Sequence, residues 1–183
     1  MITWNNVTSD ISYSNINEIT RTLSPIDVIK LVNMLNNQPL VLVNRKCLTD
    51  IYKHVTTSSN ELGGLLIGNV LTNPKNNQPN IIVISDTIAS LEYDSTNVSL
   101  RMDSTIWNIA RNKINTGFVV VGWYHSHPNL GAFFSGTDRH NQKNNFNHVY
   151  SIGYVIDPYR NDTKWYIGPS SDEIASDRII IKE

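Results

Sequence analysis

Residues 118–138 read FVVVGWYHSHPNLGAFFSGTD, and this stretch decides how the rest of the chain is interpreted. Its first part, residues 118–124, is the most apolar segment of the chain and predicts a central buried strand. Pro128 lacks a backbone N–H, so the strand ends before it and the chain turns outward. The polar residues from Gly136 to Asn145 then predict a surface helix. We therefore expect a buried strand, a loop and a helix in that order.

Two histidines stand two positions apart where this strand ends. His125 and His127 project to the same side of an extended chain, with Cα atoms roughly 6.5–7 Å apart, so both imidazoles can reach one metal ion. The loop that follows can return Asp138 as an oxygen ligand. Because two histidines and one carboxylate leave a fourth tetrahedral position open for water, the pattern is typical of a catalytic zinc site rather than a structural one. We predict one Zn²⁺ per chain.

Two further residues complete the predicted site. Zinc lowers the pKa of a bound water to about 7, but a base must still take the proton and pass it to the leaving amine. Glu61 is the candidate base, because it precedes Gly63 and Gly64, which allow close backbone packing beside the site. Ser135 is the candidate donor of a hydrogen bond to the developing oxyanion.

Each part of the pattern also has a simpler explanation. Alone, His125 and His127 could be two surface histidines of a strand, and Glu61 could be an acidic residue that precedes one. Ser135 and Asp138 form a good capping box for the helix that follows. The capping role does not exclude the metal role, because an aspartate in the first helical turn can still point at an ion. The combination favours the hydrolytic site. The remaining histidines are predicted to be structural or surface residues: His54, His140 and His148.

Helices and strands are interleaved along the rest of the chain. Strands are predicted at residues 40–43, 65–70, 81–84, 150–156, 164–167 and 178–181. One helix should begin after Asn44 and run to about residue 56, and another should follow Asp103. The side chains predicted to face inward in the first helix are Leu48, Ile51, Tyr52 and Val55. The second helix carries the apolar residues Ile106, Trp107, Ile109, Ala110 and Ile114. This order predicts an α/β (α+β) class around one mixed sheet.

The predicted domain organisation is one main domain with an N-terminal extension. The 183 residues are enough for one domain with a sizeable core and are a little short for two domains. Residues 39–183 contain all of the predicted strands. Residues 1–38 form the extension, which carries one predicted helix with Ser24 as its N-cap and Pro25 at its first position.

The composition excludes some functions. Fifteen basic and sixteen acidic residues leave a formal net charge of −1, which argues against nucleic acid as a partner because affinity for phosphates needs a concentrated positive field. The single cysteine, Cys47, cannot form an internal disulfide. The sequence shows neither a signal-peptide pattern nor an apolar run long enough to span a membrane, so we expect a cytoplasmic protein without a membrane partner.

The motif resembles that of a known enzyme family. The motif His125-Ser126-His127-Pro128, with seven residues between His127 and Ser135 and two more between Ser135 and Asp138, resembles the JAMM motif of the JAB/MPN zinc metalloproteases. The segment Glu61-Leu-Gly-Gly-Leu-Leu-Ile-Gly resembles the glutamate segment of this family, and Val155-Ile156-Asp157-Pro158 resembles its strand end. The resemblance covers roughly residues 39–170, and no ligand position is substituted, as in the active members.

The resemblance implies a fold and an activity. The fold would be a curved, mostly antiparallel sheet flanked by helices, as in cytidine deaminases. By matching position, His125, His127 and Asp138 would hold zinc, Glu61 would be the base and Ser135 the oxyanion partner. The activity would be cleavage after the C-terminal glycine of a ubiquitin-like protein, in deconjugation or precursor processing, by a compact prokaryotic enzyme.

The resemblance also implies partners and leaves alternatives open. The partners would be a ubiquitin-like protein or its conjugates, together with co-encoded activating and conjugating enzymes. Residues 89–101 correspond to an insertion that pairs with the extended tail of ubiquitin in relatives. One alternative is a peptidase of phage-tail, cell-wall or sulfur-carrier processing. Another is a non-catalytic assembly module that retains zinc for stability.

Overall fold

One eight-stranded sheet with three helices makes up the part of the chain that the computed structural model describes, which is residues 25, 39–72, 79–90, 104–114 and 118–182. The strands are β1 (Leu40–Asn44), β2 (Gly63–Thr72), β3 (Pro79–Ala89), β4 (Val119–Ser126), β5 (Ile152–Asp157), β6 (Asp162–Ile167), β7 (Asp172–Glu173) and β8 (Ile179–Lys182). The helices are α1 (Arg45–Val55), α2 (Ser104–Ile114) and α3 (Gly136–Asn145), and a 3₁₀ turn spans Ser176–Arg178.

The sheet is mixed and mostly antiparallel, which confirms the predicted class. The strand order is β7-β6-β5-β4-β2-β3-β1-β8. Strand β2 pairs antiparallel with β3 and β4, and β6 pairs antiparallel with β5 and β7. The parallel pairs are β1 with β3, β1 with β8, and β4 with β5. The most apolar segment of the sequence therefore forms β4, near the centre of the sheet, as predicted.

Each face of the sheet is covered by different helices. On one face, α1 places Cys47, Ile51 and Val55 against side chains of the central strands such as Leu66 and Tyr124. On the other face, Ile106 and Ala110 of α2 pack near Trp123, and Phe134 and Phe146 flank α3. Because alternate residues of a strand point to opposite faces, Trp123 and Tyr124 belong to different clusters.

The bounds of most elements agree with the sequence predictions, but one side chain does not face inward as predicted. Tyr52 of α1 is 47% exposed, so its predicted inward position is wrong. The buried residues of α1 are spaced by four, which centres the buried stripe on Cys47, Ile51 and Val55 and leaves Tyr52 at its edge.

Other predictions differ from the structure in the length of a strand or fall outside the described residues. Strands β2 and β3 are longer than predicted because they pair along most of their length, and the two-residue β7 was not predicted. The N-terminal helix of residues 1–38 lies outside the described residues except for Pro25, and the insertion predicted at 89–101 lies outside them from residue 91 onward. Within the described ranges, the helices are too short or too polar to cross a membrane.

Candidate metal centre

The carboxyl end of β4 holds the two histidines in a buried position. His125 pairs with Gly63 of β2 on one side and with Val155 of β5 on the other. The backbone N–H of His127 donates to the carbonyl of Ile156 at 2.9 Å, so sheet pairing continues one residue past the end of the strand. The two residues are 1% and 3% exposed, respectively. The backbone of two neighbouring strands therefore fixes both imidazoles.

Helix α3 brings the third group. Ser135 is its N-cap, and the predicted capping box is confirmed: the Asp138 N–H donates to Ser135 Oγ at 3.2 Å, and the Ser135 N–H donates to Asp138 Oδ2 at 2.7 Å. Asp138 is 7% exposed, and Oδ1 lies 3.3 Å from His125 Nε2. The capping role and the position beside the histidines occur together.

The spacing of the three side chains fits a metal ion. The two histidine Nε2 atoms are 3.1 Å apart, Asp138 Oδ1 lies 3.3 Å from Nε2 of His125, and the other carboxylate oxygen, Oδ2, lies 3.5 Å from Nε2 of His127. A tetrahedral ion with bonds of about 2.0–2.1 Å needs ligands about 3.3–3.4 Å from one another. The observed separations bracket that edge length. Two imidazoles and a carboxylate are also ligands that Zn²⁺ accepts.

Glu61 lies beside this group because of the register between β2 and β4. Gly63 pairs with His125, so a continuation of the same pairing puts Glu61 opposite His127. Two hydrogen bonds maintain the continuation: the Ser126 N–H donates to the Leu62 carbonyl at 2.8 Å, and the Leu62 N–H donates to Ser126 Oγ at 3.0 Å. Glu61 Oε1 is 3.7 Å from His127 Nε2, and the residue is 7% exposed.

Burial and mutual charge shift the pKa of every group in the site. Burial lowers the pKa of His125, which favours the neutral ring that a metal requires. Burial opposes protonation of His127 too, but the Asp138 and Glu61 carboxylates outweigh it and raise its pKa. Burial raises the pKa of Glu61, and the His127 charge only partly offsets this. Burial opposes the Asp138 charge, yet hydrogen bonds from both histidines hold its pKa well below the usual range.

Aromatic rings enclose the histidines. The Trp123 ring stacks on His125 with centroids 4.6 Å apart and planes 10° apart, and Phe134 lies 5.7 Å from the same imidazole. Phe134 can approach β5 only because Gly153 has no side chain, since a Cβ there would lie 2.2 Å from its ring. The Phe133 ring is 44% exposed and contacts His127 edge-on at 4.8 Å. The site therefore has a buried apolar floor and one exposed aromatic contact.

Gln142 supports the stacked tryptophan, and the sequence did not indicate it. Its side chain is fully buried; Oε1 accepts the Trp123 Nε1–H at 2.6 Å, and Nε2 donates to the carbonyls of Ser151 at 2.9 Å and Gly168 at 3.3 Å. Gln142 lies four residues after Asp138, on the same helical face. That spacing is the only sequence signal that could have drawn attention to it.

The other histidines lie away from the group of ligands. His140 and His148 are exposed, and His148 stacks on Tyr150. His54 is half-buried in α1, and its Nδ1 is 3.0 Å from the Tyr124 hydroxyl, on the face of the sheet opposite His125. Among the residues that the structure describes, the cluster of potential metal ligands has three members: His125, His127 and Asp138.

Comparisons with known proteins identify the family. Residues 44–168 match the family described as prokaryotic homologs of the JAB domain, which is more than half of the chain. The solution structure of a Desulfitobacterium hafniense protein superposes with a TM-score of 0.61, covering 79% of this chain and 94% of that one at 21% identity, which shows a shared fold.

Two similar proteins are longer than this chain. The chain is 30% identical over 159 residues to COP9 signalosome complex subunit 5 of Candida glabrata, covering 76% of this chain and 32% of that protein. It is 33% identical over 105 residues to the same subunit of Eremothecium gossypii, covering 55% of this chain and 23% of that protein. The chain therefore spans about a third or less of the length of these relatives. It belongs to the JAB/MPN family, in its prokaryotic JAB branch.

Proposed function

We propose that this chain is a zinc-dependent isopeptidase or peptidase that cleaves after the C-terminal glycine of a ubiquitin-like protein. The observation that carries the proposal is the spacing of 3.1–3.5 Å among His125, His127 and Asp138, with the Glu61 carboxylate 3.7 Å from His127. Three ligands and an adjacent carboxylate are the parts that a hydrolytic zinc site requires.

The residues of the chain divide the reaction between them. Zn²⁺ held by this set would act as a Lewis acid and lower the pKa of water to about 7. Glu61 then takes a proton from the water and delivers it to the amine that leaves when the amide bond breaks. The raised pKa of Glu61 suits this role, because a catalytic base should bind and release a proton near the working pH.

Ser135 is suited to the developing oxyanion. Its Oγ accepts the Asp138 N–H, so the hydroxyl hydrogen remains to be donated. The residue is half-buried at the start of α3, where the partial positive charge of the helix N-terminus also favours negative charge. A hydrogen bond of this kind contributes most when the charge is present only in the transition state.

The carboxylate of Glu61 argues against a non-catalytic assembly module. Structural zinc sites are closed by four protein ligands, whereas the cluster found in the described residues has three. A structural site also has no use for a buried glutamate that raises the cost of folding, since burial disfavours its charge. The substrate class, in turn, is inferred from membership of the JAB family and from the signalosome subunits among its relatives.

Glu61→Gln tests the assignment of the base. Zinc content should stay near one per chain, while turnover of a ubiquitin-like protein fused to a C-terminal extension should fall by roughly 10²–10⁴. The matched control is Glu173→Gln, which changes an exposed carboxylate paired with Lys164 in β6 and should keep both zinc and turnover. Full turnover by Glu61→Gln would remove Glu61 from the mechanism.

A substrate panel separates the candidate functions. Purified protein would be incubated with fusions of several ubiquitin-like modifiers, a sulfur-carrier precursor, and peptides from phage-tail and cell-wall proteins. Cleavage immediately after a terminal glycine of a ubiquitin-like modifier supports the proposal. Cleavage of another class alone reassigns the substrate, and zinc-loaded protein that cleaves nothing in the panel favours the assembly module.

A further inference from the structure

A buried carboxylate outside the metal site accepts hydrogen bonds from four backbone N–H groups. Asp157, the last residue of β5, is completely buried. Its Oδ1 accepts from the backbone of Asn129 at 3.1 Å, Tyr159 at 3.0 Å and Arg160 at 3.2 Å, and its Oδ2 accepts from Gly131 at 2.8 Å. Two of these donors belong to the loop that joins His127 to Ser135. Asp157 therefore ties the end of a strand to the loop between two predicted ligands.

The loop needs an external constraint to keep its shape. Residues 128–134 lie outside the helices and strands, and Asn129 and Gly131 have left-handed backbone conformations with φ of 63° and 87°. Glycine adopts such a conformation readily and asparagine does so more often than other residues, but at Asn129 it still costs free energy that hydrogen bonds can offset. The Asp157 carboxylate bonds to both residues. It thereby stabilises the path of the loop at both positions.

A second carboxylate continues the arrangement. Asp162 pairs with Asp157 across the antiparallel ladder of β5 and β6, and its Oδ2 accepts the Ala132 N–H at 2.9 Å. Together the two residues, which we name the carboxylate clasp, accept N–H groups from positions 129, 131 and 132 of the loop. The Phe134 N–H donates to the Tyr166 hydroxyl at 3.2 Å, which is a second attachment of the loop to β6. Hydrogen bonds to ionised carboxylates are roughly twice as strong as neutral ones.

The loop contributes to the distance between the ligands, beside the contacts of Gln142 that hold α3. His127 is fixed by its backbone bond to β5, and Asp138 is fixed within the first turn of α3 by Ser135. Along the chain, seven residues connect His127 to Ser135. A displacement of this loop would move Asp138 relative to the histidines, and metal affinity depends on that spacing.

We propose that the carboxylate clasp of Asp157 and Asp162 positions Asp138 and Ser135 relative to His125 and His127. The proposal rests on the metal site of the proposed function, but its test reads metal binding rather than turnover. Asp157 and Asp162 contact neither a ligand nor a reacting atom and act through the loop. They are therefore positioning residues.

Asp157→Asn and Asp162→Asn test the clasp. In Asp157→Asn an NH₂ group replaces one carboxylate oxygen, so a donor faces a backbone N–H that the oxygen had accepted. Affinity of the apoprotein for Co²⁺, measured by competition with a chelator, should fall by about 10–100-fold, and the visible absorption bands of bound Co²⁺ should shift because its ligand geometry changes. Asp162 is exposed, so Asp162→Asn should fold and show a smaller loss with a shift in the same direction.

A destabilised variant on the opposite face separates positioning from general loss of stability. Leu66→Ala removes a fully buried side chain from the face covered by α1 and should keep the wild-type affinity and spectrum of Co²⁺. Unchanged affinity and spectrum in Asp157→Asn would overturn the clasp while leaving the proposed function intact. If Asp157→Asn does not fold, the same unchanged result in Asp162→Asn overturns it. A wild-type protein that binds neither Co²⁺ nor Zn²⁺ instead overturns the proposed function.

Discussion

Tyr124 and His125 are consecutive residues of one strand, equally buried, and they face opposite sides of the sheet. Tyr124 lies under α1 among apolar side chains, and its hydroxyl meets His54. His125 lies between the rings of Trp123 and Phe134, and its Nε2 faces the Asp138 carboxylate. The strand thus presents one side chain to a closed core and the next to a polar cluster.

The two faces differ in the helices beside Tyr124 and His125: α1 covers Tyr124, whereas α3 approaches His125 on the face that α2 also covers. Helix α1 follows β1 directly and contributes an apolar stripe, so burial on its face is mostly a matter of packing. Helix α3 is polar, and the side chains it buries are Asp138 and Gln142. A helix with so little apolar surface adds little packing energy, and its charged and amide groups instead complete a site. We therefore expect substitutions on the α1 face to change stability and those on the α3 face to change metal binding.

The adjacent pair gives the largest predicted contrast. His125→Ala removes a ligand, so metal per chain should fall from about one to near zero and activity should fall with it. Tyr124→Phe removes only the hydroxyl contact with His54 and should lower the free energy of unfolding by about 0.5–1.5 kcal/mol without loss of metal. Metal analysis and urea unfolding of both variants check this. Full metal content in His125→Ala would contradict the division between the faces.

Two glycines, one packed in the sheet and one at the start of α3, differ in the space that surrounds them. A Cβ at Gly64 would lie 2.2 Å from the Ile88 carbonyl oxygen and 2.7 Å from the Tyr124 ring, so Gly64→Ala must push β2 away from its neighbours. We expect a loss of about 1–3 kcal/mol or more in the free energy of unfolding. At Gly136, in the first turn of α3, a Cβ meets no atom within 4 Å. Gly136→Ala should be neutral or stabilise by up to about 1 kcal/mol. Equal thermal midpoints for the two variants would contradict this packing.

The smallest predicted effect is a pH dependence of stability from the carboxylate clasp. Burial opposes the Asp157 charge, but the backbone N–H donors outweigh it and lower the pKa of this carboxyl. Because the pKa is lower in the folded state, the charged carboxylate stabilises the fold at pH values above the unfolded-state pKa of about 3.9. This stabilisation is lost as the pH falls through the folded-state pKa.

The difference in free energy of unfolding between wild type and Asp157→Asn should therefore reach its maximum near pH 6 and decrease below about pH 4. The difference for Leu66→Ala, which involves no titrating group, should change little over the same range. Urea titrations at several pH values measure both. A difference for Asp157→Asn that stays constant down to pH 3 would show that its charge has no part in holding the loop.

The parts of the fold and site that the sequence predicts are those encoded by neighbouring residues. The alternation of His125 and His127, the capping box of Ser135 and Asp138, and the cap of α1 at Asn44 all depend on residues within one or two turns. The proximity of Glu61 to the site was inferred from glycines, but its position opposite His127 follows from strand register, which joins residues more than sixty positions apart.

The rest could not be predicted because it depends on distant partners. Nothing in a polar helix marks Gln142 as buried, since its burial is decided by Trp123, nineteen positions earlier. The sequence shows Asp157 as the end of a strand, but its role comes from N–H groups 26 and 28 residues away. Tyr52 was wrongly expected to face inward because apolar spacing gives the direction of a helical stripe better than its width.

The most direct test of the central claim is anomalous diffraction at the zinc absorption edge from crystals of the full chain grown with zinc. We predict one strong peak per chain, in contact with Nε2 of His125, Nε2 of His127 and a carboxylate oxygen of Asp138, with one coordination position left to solvent and near Glu61. Absence of a peak among these three side chains, or a fourth protein ligand that closes the site, would contradict the account.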